Sequence, residues 1–206
     1  ELAKISIIVG MSMILSERSH DSDIPSNQNV VQALVVAAIP VLLILLQPDM
    51  GTVFIISCSV LTIIAASGAS GRWVVALILI AVVGVFGAIQ SGVIDQYQVK
   101  RLQSFVNPNA DTQGSGYQLR QARITVGSGG LIGTGLFNGP QTNGRFVPEQ
   151  QTDFIFTVAG EELGFLGCGV IILLYLTLLM RAFGIARRAT DPYGRLVCTG
   201  VVAWFA

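Results

Sequence analysis

Residues 150–164 read QQTDFIFTVAGEELG, an apolar run with one carboxylate at its mouth, Asp153, and two inside it, Glu161 and Glu162. Charge in hydrocarbon is costly, so ionisable residues in such runs carry function or are held by partners. At the water-facing edge, Asp153 can take a proton from a bound alcohol as a general base, or cap the helix that follows it. By helical rise Glu161 and Glu162 lie roughly 12–14 Å deeper. They read as structural or cavity-lining groups that need partners on neighbouring helices or a polar cavity. Gly160, Gly164 and Gly167 beside them would let helices approach closely. Glu149 is a second outer carboxylate, able to bind a cation, to repel the charge of Asp153 or simply to face water. Asp49, after Pro48, reads as a helix cap in preference to a catalyst.

A group of cations precedes the carboxylates: Lys100, Arg101, Arg120, Arg123 and Arg145. Guanidinium pairs bidentately with phosphate, so the group suits a phosphate-bearing ligand. Each cation taken alone also suits an anchor to ordinary anionic lipid. Gln121, between two of the arginines, joins Lys100, Arg101, Arg120, Arg123 and Glu149 as a substrate-binding candidate. The glycine-rich stretch 127–135, GSGGLIGTG, is not a nucleotide loop. No Gly-Lys-Ser/Thr follows it, and Ile132 stands where the last glycine of a dinucleotide pattern would be. Its glycines instead suit close packing over a bulky head group or over other helices.

The elements that must position these residues follow from composition. With 52% hydrophobic and 12% charged residues and a mean hydropathy of +0.68, the chain is a membrane protein. Its net charge of zero gives no argument for nucleic acid. Cys58, Cys168 and Cys198 lie in apolar stretches without CxxC spacing and read as packing residues. The start at Glu1 and the stop within an apolar run suggest an internal piece of a longer protein. Apolar runs at 2–15, 30–46, 50–66, 73–94, 154–180 and 196–206 predict an all-α, polytopic integral membrane bundle in a single membrane domain. The turn at 47–52 predicts a tight helical hairpin, with Pro48 stopping one helix and Asp49 capping the next. Arg181, Arg187, Arg188 and Arg195 place the segment after 154–180 in the cytoplasm, and the long loop 95–152 outside. Within that loop, Val99, Leu102, Phe105 and Val106 recur at the spacing of a helix lying in the membrane interface.

The order of segments resembles the SEDS family, the shape, elongation, division and sporulation proteins that include the RodA, FtsW and SpoVE types. The matching motifs are ELAK at 1–4, QPDMGT at 47–52, GSGYQ at 114–118, GSGG at 127–130 and TDFIF with GEELG across 152–164. GLFNGPQ at 135–141 looks closer to the elongation type. The resemblance implies part of a ten-helix glycosyltransferase of the bacterial cytoplasmic membrane that polymerises lipid II into undecaprenyl-linked glycan outside the membrane, beside a class B penicillin-binding protein transpeptidase. It implies Asp153 as the catalytic aspartate, with Glu149 as a looser match to an upstream loop carboxylate. Where many members carry a His before Thr-Asp, Gln150 and Gln151 stand here, so no imidazole assists Asp153. The residues name no cofactor with certainty, and a divalent cation beside the diphosphate is compatible with them. A flippase or transporter of lipid-linked precursors, using the Pro48–Gly51 break and the buried Glu161 and Glu162, is the alternative, and a silent scaffold for a transpeptidase a third.

Overall fold

Every regular element in the computed structural model is an α-helix, among the described residues 2–17, 24–47, 49–90 and 115–206. In chain order these are α1 Leu2–Ser16, α2 Asn27–Leu45, α3 Met50–Ala66, α4 Gly71–Gln90, α5 Ser115–Ser128, α6 Pro140–Asn143, α7 Ile155–Arg188 and α8 Pro192–Phe205. A helix satisfies its backbone polar groups within one segment, which is why long apolar runs adopt it. Side-chain caps start several of them. Ser26 Oγ accepts the Gln28 N–H at 3.3 Å before α2. Asp191 accepts the Gly194 N–H at 2.7 Å before α8, with Pro192 in the first turn. Helices α2 and α7 are long and apolar enough to cross a membrane, while Leu2–Ser16, Gly51–Ala66 and Gly71–Gly87 are shorter apolar helices.

The chain divides into two compact units, Glu1–Gly84 with Thr177–Ala206, and Val85–Leu176. In the first, α1 packs on α2, α3 and α8, and α3 also packs on α2 and α8. The inward faces follow helical spacing: Ile7, Ile8, Met11 and Leu15 on α1; Val30, Ala33 and Ala37 on α2; Ile56, Val60, Ile63 and Ile64 on α3; Leu196 on α8. Small residues bring the helices together, and Gly200 of α8 lies directly under Ile8 and Ile63. Trp73 Nε1 donates to Asn27 Oδ1 at 3.1 Å, tying the start of α4 to the start of α2. Many outward side chains are apolar, Phe54 at 70% and Leu43 at 60% exposure among them. That is the surface expected of helices solvated by lipid.

Two expectations need correction. The run 154–180 is not one uninterrupted helix: α7 is broken at Gly164, whose backbone is non-helical (φ 67°, ψ −168°). The connector 95–152, expected to carry one interfacial helix around Val99–Val106, also contains α5 and α6. Helix α5 turns Gly116, Ala122 and Thr125 inward, a pattern that glycine content obscured. The interfacial helix expected around Val99–Val106 lies outside the described residues, as do Lys100, Arg101 and Pro48. Cys58 is exposed on α3, Cys168 is buried and Cys198 half-buried.

Candidate active site

The second unit is organised around the break in α7. Where a helix stops, its last carbonyls lose their partners, and where one starts, its first N–H groups do. At Gly164 both sets arise at once, in an apolar surrounding where leaving them unpaired would be costly. The glycine-rich segment after α5 satisfies them. Thr134 N–H donates to the Glu161 carbonyl at 2.9 Å and Gly135 N–H to the Glu162 carbonyl at 3.1 Å. In return Phe165 N–H donates to the Gly130 carbonyl at 2.9 Å and Leu166 N–H to that of Leu131 at 3.1 Å. The glycines expected to permit packing over a head group or helices thus insert backbone into the gap of a broken helix. Gly164 is the break itself, not a helix-contact glycine, and Gly160 lies under Val126 of α5.

Glu161 is fully buried, and its partners come from α6 and from the last residue of α5. Its Oε1 accepts the Gln141 N–H at 2.8 Å and approaches Ser128 Oγ at 3.4 Å. Its Oε2 accepts both the N–H of Thr142 at 2.8 Å and the Thr142 hydroxyl at 2.6 Å. The carboxylate therefore closes the first turn of α6 and ties it to α7. Glu162 is buried as well, and its backbone carbonyl accepts the Gly135 N–H.

Asp153 stands exposed in the turn before α7, its carboxylate without a side-chain partner among the described residues. It is not the N-cap of α7. The turn is built by Glu149, which adopts a left-handed backbone (φ 51°), a conformation uncommon for a residue with a side chain. The Glu149 carbonyl accepts the Thr152 N–H at 3.3 Å and the Asp153 N–H at 3.0 Å. That brings the two acidic residues onto one turn, with the Glu149 side chain also exposed. On α5, Arg120 and Arg123 are exposed and Gln121 is half-buried, its carbonyl accepting the Thr125 hydroxyl at 2.8 Å. Arg145 is exposed and also left-handed (φ 52°).

Asp49 belongs to the first unit and is the N-cap of α3. Its oxygens accept the Thr52 N–H at 3.1 Å and the Thr52 hydroxyl at 2.6 Å. The Thr52 hydroxyl is the main cause that holds the Asp49 carboxyl below the ordinary carboxylate range, followed by the Thr52 N–H. Its carboxylate is committed to the cap. Among the described residues no group of three His, Cys, Asp or Glu side chains could hold a metal ion.

Thr142 and Thr157 carry no mark in residue type or spacing, and Gln150 stands out in the sequence only as a residue in the place where many family members carry a His. Gln150 is buried, and its Nε2 donates to Thr142 Oγ1 at 3.3 Å and to Thr157 Oγ1 at 3.2 Å. The one available signal was a hydroxyl in the apolar run that starts α7, since a buried Thr needs a partner.

Comparison with known proteins agrees with the motif order. The family model for FtsW, RodA and SpoVE, described as cell cycle protein, matches residues 1–206. The chain is 36% identical over 203 residues to the peptidoglycan glycosyltransferase MrdB of Escherichia coli strain K12, covering 98% of this chain and 54% of that protein. It is 38% identical over 207 residues to stage V sporulation protein E of Bacillus subtilis strain 168, covering all of this chain and 55% of that one. A chain from a solved structure of a peptidoglycan synthase complex shares the fold, with a TM-score of 0.70 at 22% identity over 98% of this chain and 54% of that chain. The chain spans about half the length of these relatives. With a match that runs from end to end over an all-helical apolar architecture, the chain belongs to the FtsW/RodA/SpoVE family.

Proposed function

We propose that this chain carries the polymerising site of a peptidoglycan glycosyltransferase, which joins lipid II units into glycan at the outer face of the bacterial cytoplasmic membrane. The observation that carries the reading is Asp153: an exposed carboxylate with no competing partner among the described residues, at the entrance to a helix whose deeper acids are buried. The family, and the glycosyltransferase activity for which the MrdB relative is named, supply the reaction class. GLFNGPQ at 135–141 and the MrdB match favour a role in elongation and cell shape.

In the proposed step the 4-hydroxyl of a GlcNAc on one lipid II attacks the anomeric carbon of the lipid-linked MurNAc on the growing strand. A new C–O glycosidic bond forms and the bond from that carbon to the diphosphate oxygen breaks, its electron pair leaving with undecaprenyl diphosphate. The proton of the attacking hydroxyl goes to Asp153, general-base help worth about 10²–10⁴ in rate. The leaving diphosphate needs charge stabilisation in place of a proton. Lys100, Arg101, Arg120 and Arg123, with Gln121, are assigned to it, and Glu149 to the polar rim around Asp153. Positive residues Arg181, Arg187, Arg188 and Arg195 support an outer placement of Asp153. The relation to a peptidoglycan synthase complex supports a class B penicillin-binding protein transpeptidase as partner.

A broken helix is also a device of transporters, which keeps the flippase alternative in view. Here, however, the break is filled by residues 130–135 and the Glu161 carboxylate is occupied by donors. The deciding experiment compares full-length wild type and Asp153→Asn, each given lipid II, in a gel assay for glycan and a vesicle assay for translocation. The reading expects no glycan from the variant with lipid II binding intact. Glycan at the wild-type rate overturns it, and loss of translocation alone favours the transporter.

A further inference from the structure

We infer that Glu161, Thr142 and Gln150 form a hydrogen-bonded chain that positions Asp153, an inference that rests on reading Asp153 as the base. Asp153 has no side-chain anchor of its own among the described residues, so its place is set by what holds the segment on either side. Gln150 lies three residues before it and Thr157 four residues after, both buried. The directions of the bonds are dictated by the groups available. A carboxylate only accepts, so the Thr142 hydroxyl spends its single hydrogen on Glu161 Oε2 at 2.6 Å. That leaves Thr142 Oγ1 as an acceptor for Gln150 Nε2 at 3.3 Å. Thr157 spends its hydrogen on the Phe154 carbonyl at 2.7 Å and accepts the second Gln150 hydrogen at 3.2 Å.

One buried amide thus clamps the turn 149–153 to both α6 and α7, with Phe154 held on the far side of Asp153. The chain starts at Glu161, itself fixed to α6 through two backbone N–H groups. Glu161 does not reach the reacting atoms by this route. It acts as a positioning residue, and what it fixes is the spot from which Asp153 meets the sugar hydroxyl. A misplacement of about 1 Å at a reacting centre can lower the rate about 10²-fold.

Removing the Glu161 carboxylate risks the fold, so the test uses the middle of the chain. Thr142→Val keeps shape and backbone N–H but loses the hydroxyl, Thr142→Ser restores it, and Gln150→Leu removes the amide. Each is made in the full-length protein, checked for wild-type melting temperature, and assayed for kcat and lipid II KM, with Asp153→Asn alongside. The expected result is that Thr142→Val and Gln150→Leu lower kcat about tenfold or more with KM within about twofold of wild type. Thr142→Ser should recover kcat, and the Val/Leu double variant should lose little more than either single one, because both break one chain. Wild-type kcat in Thr142→Val and Gln150→Leu, with Asp153→Asn inactive, overturns the positioning chain and leaves the base in place. A loss confined to KM, or one that Thr142→Ser does not recover, overturns it too. An active Asp153→Asn overturns the base reading, and the inference with it.

Discussion

Gly133 and Gly164 meet backbone to backbone. A Cβ built on Gly164 would run into the Gly133 nitrogen and come within 2.7 Å of the Ile132 carbonyl carbon, and one built on Gly133 would come within 2.7 Å of the Gly164 nitrogen. Both have positive φ, 88° and 67°. This contact locks the glycine-rich loop into the broken helix, and with it the ring of donors around Glu161.

Gly164→Ala therefore meets two penalties, a left-handed backbone and a collision with main chain that cannot swing aside. The backbone term alone costs about 1–3 kcal/mol, and the collision adds to it. The expected outcome is a clear fall in melting temperature and in folded yield of the detergent-purified protein. Wild-type melting would mean that the loop does not occupy the break.

Glu161→Ala would leave the Gln141 and Thr142 N–H groups without their acceptor in a buried place. Each orphaned group costs about 1–3 kcal/mol. Hydrogen exchange should show faster exchange at residues 141 and 142 than at the interior of α7, a pattern absent if water or another group takes over the carboxylate's role.

Asp49→Ala removes the cap of α3, at a cost of about 1 kcal/mol. The pH dependence has a fixed sign. Because the folded carboxyl is held below its ordinary value, its contribution is complete above the ordinary carboxylate range and fades as pH falls through the lowered value. The wild-type advantage over Asp49→Ala in melting temperature should shrink in acid. A difference that grows as pH falls contradicts the cap.

Arg123→Ala tests the diphosphate role. Arg123 is exposed on α5, so its removal should leave melting unchanged. Lipid II affinity should weaken by about tenfold or less, consistent with one charge-assisted contact of about 1.5–3 kcal/mol in part screened by water. Unchanged affinity at low salt would reduce the residue to an interfacial anchor.

The apolar runs announced the helices because, without water, an extended apolar segment has few ways to satisfy its backbone other than coiling on itself. Asp49 before Met50 could be read as a cap for a similarly local reason: donor and acceptor lie three residues apart. The order of short motifs carried the family. Asp153 and Glu161 were visible as carboxylates out of place, which is a matter of residue type and neighbours alone. The surroundings of each were not. Glu161 is held by residues 141 and 142, and Gln150 by Thr142 and Thr157, and no local pattern marks pairs so separated along the chain.

Gly164 shows the division most clearly. Leucine, valine and isoleucine lie on both sides of it, and a glycine inside an apolar helix is tolerated, so residues 154–180 looked continuous. A break there is stable only because another segment supplies two donors and two acceptors at the gap. Sequence by itself determined the membrane class, the family and the acidic residues on which the proposed chemistry turns, since these depend on composition and local order. Tertiary structure alone decided that α7 is broken, that Glu161 is a tie and not an open acid, and that Asp153 stands exposed, because each depends on which distant backbone groups arrive to satisfy a buried one.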